Sequence, residues 1–249
     1  ALVAFWLWKH GQSRYFEGKW EAPDADVKGW VLLFFWGFLT HILLDCFTTY
    51  GTQVFAPFSN ERVAWGTVSV VDPLYTLPFL LCLLVAARFV RHDSRRQLWN
   101  RMGLAWSCLY LALTVVNHSR VHHAVEAALQ DQGRSFEQFL ITPTIFNNLL
   151  WNVVVDEEDS FLLAQYSILD EVPIAFRSVS KGYDLLHNMD SDETIGVLQW
   201  FSAGYLNAVR RSDGALQLND LRFGTFTSRD LPSYKHSTGE IYNQVTSTI

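Results

Sequence analysis

Cysteine is scarce, and its placement excludes more than it offers. Three occur in 249 residues; Cys82 and Cys108 lie inside apolar runs and Cys46 ends another. An odd number so placed gives no disulfide framework and no metal-type spacing, so these residues read as small core hydrophobes. Basic charge is also short: 19 Lys and Arg stand against 25 Asp and Glu, a net charge of -6. A nucleic-acid binder needs a basic face, so nucleic acid is excluded as a partner. There is no glycine-rich phosphate loop, no Gly-x-Ser-x-Gly elbow and no Cys–His nucleophile pattern. Serine- and cysteine-type hydrolysis therefore lack their usual carriers.

Apolar sequence is abundant but unevenly spread. The mean hydropathy of +0.08 averages an apolar first half with a second half of ordinary polarity. Ten Trp and 18 Phe are a heavy aromatic load, as expected where rings anchor at membrane interfaces. Trp30–Phe47, Leu74–Val90 and Gly103–Val116 are apolar runs at or near the length of about 20 residues that a bilayer requires. Ala1–Trp8 is too short to span and has no basic n-region before it, so it does not read as a signal peptide. It reads as the end of a further helix, so the sequence is expected to be truncated at its N-terminus.

The fold class expected is an α-helical membrane domain followed by a soluble α+β domain. Residues 1–132 would hold three complete transmembrane helices plus the end of a fourth. Residues 133–249 would form the α+β domain, with a polar tail after Thr227. In that second part Leu149–Asp170 has two β-rich runs around the acidic stretch Asp156–Ser160, a hairpin signature. Asp156, Glu157, Glu158 and Asp159 read as a solvated turn. Thr194–Val209 has an amphipathic helical pattern, and Ala215–Phe226 reads as a strand.

Lys and Arg asymmetry sets the expected orientation. Arg88, Arg91, Arg95, Arg96 and Arg101 crowd one loop, and Lys9, Arg14, Lys19 and Lys28 another. Thr48–Pro73 carries only Arg62. With three crossings and the basic loops in the cytoplasm, the C-terminal domain is extracytoplasmic.

The sharpest chemical feature is His41-x-x-x-Asp45. Spacing of i, i+4 puts both side chains on one helical face, where they can share a divalent metal. Ionisable residues in a membrane helix are costly and so are functional candidates; a hydrogen-bonded pair tying helices together is the competing reading. Asp72 precedes Pro73 and so suits a helix cap, or a further ligand or general base. His118 and His122, again i, i+4, are either a solvated helix end or a second ligand group. Metal-assisted hydrolysis suits such residues, because the ion lowers the pKa of bound water and polarises the scissile oxygen.

The run His41-Ile-Leu-Leu-Asp45-Cys-Phe-Thr-Thr-Tyr-Gly51-Thr-Gln-Val-Phe-Ala-Pro57-Phe-Ser59, with Arg62 and Val-Val-Asp72-Pro-Leu-Tyr, resembles the membrane-bound metal-dependent hydrolase family. Its members are bacterial inner-membrane proteins of the YdjM/YbcI-like kind. The stretches Thr142–Trp151, Tyr166–Asp170 and Asp220–Gly224 resemble the C-terminal region of its longer members. The resemblance implies a divalent metal ion, with zinc as the candidate, held by His41 and Asp45. Asp72 would be a further ligand or the catalytic base; His118, from its own position past the third apolar run and not from the resemblance, is added as an accessory ligand. The family's Pro-Asp-x-Asp-His and His-Arg-Gly-x-Thr-His-Ser elements are absent from the sequence. The partners implied are the lipid bilayer and an amphiphilic substrate such as a phospholipid or lipid-linked phosphate. The site would lie at the outer face of the inner membrane. The alternative is a non-catalytic membrane protein whose outer domain binds an envelope component.

Overall fold

The computed structural model describes residues 26–90, 92–186, 193–211 and 213–223. Ala1–Trp8 and the tail after Thr227 lie outside the described residues. The chain divides into two units, 1–44 and 45–249.

The first unit, where described, is helix α1, Val27–Cys46, whose last two residues open the second. Its leucines, phenylalanines and tryptophans are exposed nearly all round. A helix apolar on every side has no amphipathic face to dock and suits an apolar solvent.

The second unit begins with a loop that folds back on itself. Trp65 N–H donates to the Cys46 carbonyl, and Thr67 N–H to that of Phe47. Helix α2, Pro73–Ala87, then packs against helix α3, Ser94–Asp131. The contact is close because Gly103 has no side chain: a Cβ there would lie 3.2 Å from that of Cys82. Farther along α3, Val121, Val125 and Leu129 are fully buried against a four-stranded antiparallel sheet.

That sheet runs β1 Gln138–Pro143, β2 Leu150–Asp156, β3 Ser160–Ser167 and β4 Arg177–Ser180, in chain order. The β2–β3 hairpin is the one its β-branched runs indicated. Strand β2 is covered on both faces, which explains its unbroken Val153-Val154-Val155. Trp151, Val153 and Val155 face α3, whereas Val154 packs with Phe161, Tyr205 and Leu221. Helix α4, Glu193–Phe201, and a two-stranded ribbon, β5 Leu206–Arg210 with β6 Leu216–Asp220, complete the described residues.

The described residues do not form three complete transmembrane helices. Among the described residues α1 alone is long and apolar enough to cross a membrane. Helix α2 has 15 residues, about 22 Å of rise against a hydrocarbon core of about 30 Å. The third apolar run is not a membrane helix of its own: it lies within the 38 residues of α3, which, as the helical pattern to about Gln132 indicates, runs on past Asn117 and puts its last turns in the sheet's core. The placement of the C-terminal residues outside the membrane assumed three crossings, and that basis goes with them. Two smaller differences have local causes. Helix α4 stops at Phe201 because Ala203 and Gly204 take positive φ, and the chain re-emerges as β5. The run from Ala215 is a strand only to Asp220, then a 3-10 turn at Leu221–Phe223.

Gly182, after β4, has φ +65°, and a Cβ there would collide with the carbonyl oxygen of Ala208 on β5. Gly182→Ala should therefore cost about 2–3 kcal/mol, from backbone strain plus displacement of β5. Chemical denaturation of the variant checks this; a change under about 0.5 kcal/mol, the level of an ordinary surface substitution, would refute it.

Candidate functional site

Each residue singled out by the sequence has a distinct setting. His41 is exposed and Asp45 half-buried on the final turns of α1, one helical turn apart. Asp72 is buried and caps α2. Its Oδ1 accepts from the backbone N–H groups of Leu74 and Tyr75, and its Oδ2 from the Tyr110 hydroxyl at 2.6 Å. A carboxylate so engaged stabilises a helix start and clamps α2 to α3. To ligate an ion it would have to give up Tyr110.

His118 lies two turns beyond Tyr110 on α3, about 12 Å along the axis. It lines a cleft of about 490 Å³ together with His122, Trp65 and Thr67 of the loop, and Phe139 and Ile141 of β1. The cleft exists because a buried polar network holds the loop to α3. Asn148 donates through Nδ2 to the Thr67 carbonyl (2.8 Å) and accepts at Oδ1 from Asn117 Nδ2 (2.9 Å). Trp151 Nε1 donates to the Asn148 carbonyl, and its indole meets His118 edge to face at 5.8 Å. With four buried polar groups satisfied by one another, this part of the wall is fixed rather than adaptable.

Burial, with a further contribution from His122, pushes the His118 pKa below its ordinary value. Its imidazole is thus favoured in the neutral form, able to accept a proton or bind a cation. Next to it the His122 ring packs tilted against that of Phe139, centroids 4.7 Å apart, and His122, His123 and Glu126 converge, with one candidate ligand atom from each lying within 4.8 Å of the others. The helical spacing of His118 and His122 was visible in the sequence. The inclusion of Glu126 was also readable, at i+4 from His122, but no local signal singled it out.

A second charged centre was misread in the sequence. Asp156 does not sit in a solvated turn; it is buried and paired with Lys181 at 2.8 Å. The reason is register: at the end of β2, Asp156 points to the face of Val154 and Phe161, and Lys181 follows β4 on that side. Burial alone would lower the Lys181 pKa, but the hydrogen bond and charge of Asp156 outweigh it and raise it. Tyr205, enclosed nearby, is pushed up by burial and then by the Asp156 charge.

Residues 1–121 match the model of the YdjM inner membrane protein family. The match covers His41, Asp45, Asp72 and His118 and stops within α3, before the sheet. It makes the chain similar to inner membrane proteins over the part that contains α1, and supports a membrane protein. The uncharacterized protein YfhP of Bacillus subtilis (strain 168) is 24% identical over 204 residues, 74% of this chain and 54% of that protein. The chain thus spans about half the length of this curated relative. No solved structure matches it.

Proposed function

We propose that the chain is an inner-membrane, metal-dependent hydrolase, with a divalent ion held by His41 and Asp45 where α1 ends. The supporting observation is that helix itself. It has the length and apolarity of a membrane span, yet carries an imidazole and a carboxylate one turn apart in its last two turns. Nitrogen and carboxylate oxygen are a donor set suited to zinc. Such an ion supplies a water of lowered pKa and a polarising charge on the scissile oxygen. The chain's own groups position and exclude: Asp72 and Tyr110 fix the start of α2 against α3, and His118 is a neutral proton acceptor within an aromatic cleft. A helix end at the membrane interface suits an amphiphilic ester or phosphoester substrate.

The test is the metal content of the untagged full chain, purified in detergent, measured for wild type, His41→Ala and Asp45→Ala. Each substitution is expected to remove about one equivalent of the metal that wild type carries, while the thermal transition is retained. Metal absent from wild type, or unchanged in both variants, would leave a non-catalytic membrane protein that binds an envelope component.

A further inference from the structure

We propose a second divalent-metal site, formed by His122, His123 and Glu126 on the rim of the cleft. It uses neither His41 nor Asp45 and does not depend on the hydrolase reading.

The geometry follows from helix periodicity. Glu126 is i+4 from His122 and i+3 from His123, so one carboxylate stands a turn above two adjacent imidazoles and between their rows. Glu126 Oε2 lies 4.0 Å from His122 Nδ1 and 3.8 Å from His123 Nδ1. All three ligand atoms fall within 4.8 Å of one another. A tetrahedral ion with bonds of about 2.1 Å needs ligand separations of about 3.4 Å. The side chains must therefore draw together by roughly 1 Å, a rotamer adjustment open to groups that are 43–77% exposed. His122 starts partly fixed by its ring contact with Phe139, which reduces the ordering cost of closing the site.

The donor set selects the ion. Two imidazole nitrogens and one carboxylate oxygen suit zinc, cobalt or nickel, and disfavour magnesium and calcium, which take oxygen ligands. Three protein ligands would leave a fourth position open to water, and one of the three, His122, also lines the cleft. The chemical class is thus a solvent-accessible three-ligand zinc site, distinct from a closed structural one.

The test uses the untagged full chain in detergent with His41→Ala as background, so that the α1 pair cannot contribute. Zinc is titrated by calorimetry and cobalt by its visible absorption, against variants that add His123→Ala or Glu126→Gln. The expected result is about one zinc per chain in the background protein, with affinity at least tenfold weaker in each variant. A cobalt d–d band of low-coordinate intensity should be lost in parallel. Both added substitutions are surface changes, and an unchanged thermal transition verifies that the fold persists. No zinc in the background protein, or equal affinity in background and variants, overturns the site and leaves the α1 proposal standing.

Discussion

Lys181→Met should destabilise the sheet-bearing unit by about 3–5 kcal/mol, because it strands the Asp156 carboxylate in a place water barely reaches. Both side chains are about one-tenth exposed and 2.8 Å apart. Once Lys181 is gone, the one side-chain donor left to Asp156 among the described residues is Gln138 Nε2 at 3.3 Å. The companion variant separates the pair's net worth from the cost of an orphaned charge. Asp156→Leu combined with Lys181→Met should recover most of the loss, since an apolar replacement of a buried pair is often neutral. If the double variant is as unstable as the single one, the loss comes from packing on Phe161 and Tyr183, whose rings lie 5.3 and 5.7 Å from the ammonium. The pH dependence has a definite sign. The folded pKa of Lys181 is raised above an unfolded value of about 10.4. Its contribution is therefore fully present below about pH 10.4, and lost only as pH rises through the folded value. Urea melts at neutral pH and at about pH 11 should differ in wild type by more than in the double variant.

What the sequence disclosed depended on whether the information was local. The pair on α1 needed only a 3.6-residue period, and the β2–β3 hairpin only two β-branched runs around an acidic turn. Length was harder. The apolar run of α2 is compatible with a membrane helix until its hydrogen-bonded extent is known, and that extent ends at Ala87. The run in α3 hid a change of environment without a change of secondary structure. Leu104, Leu109 and Leu113 are exposed, whereas Val121, Val125 and Leu129 are enclosed by the sheet on the same helix. No helix-breaking residue marks the transition, so periodicity alone runs through it. Asp156 was misread for a different reason. Its partner lies just past the end of β4, two hairpins later, and an acidic run at a turn is indistinguishable from a solvated one until that partner is placed. The cleft depends on the same kind of distant pairing, since Asn148 reaches Thr67 and Asn117 across the chain.

Trp151→Ala should have an effect as large, about 3–5 kcal/mol, and should reach the cleft as well as the core. Trp151 is fully buried and stands in the layer between α3 and the sheet, next to Val153 and Val155. Removing the indole loses its transfer free energy and leaves a void that a fixed helix and a paired strand cannot close. It also takes away one donor to the Asn148 carbonyl, which retains Asn117 Nδ2 at 3.3 Å. The hydrogen bond is thus the minor part. Trp151→Phe, which keeps an aromatic ring but not the N–H, should lose markedly less stability than the alanine variant. The larger consequence is for His118, whose ring rests on the indole edge. Burial is the chief reason its pKa is depressed. Water admitted beside it should therefore raise the value back toward about 6.5, the ordinary histidine range. In wild type the depressed value means that stability is intact above about pH 6.5 and declines as pH falls through the folded pKa. Histidine ring titration by NMR, followed with denaturant melts of the two variants, tests both halves. A Trp151→Ala protein that stays within about 1 kcal/mol of wild type would show that the site collapses freely. An unmoved His118 titration in that variant would detach the cleft's electrostatics from the core beneath it.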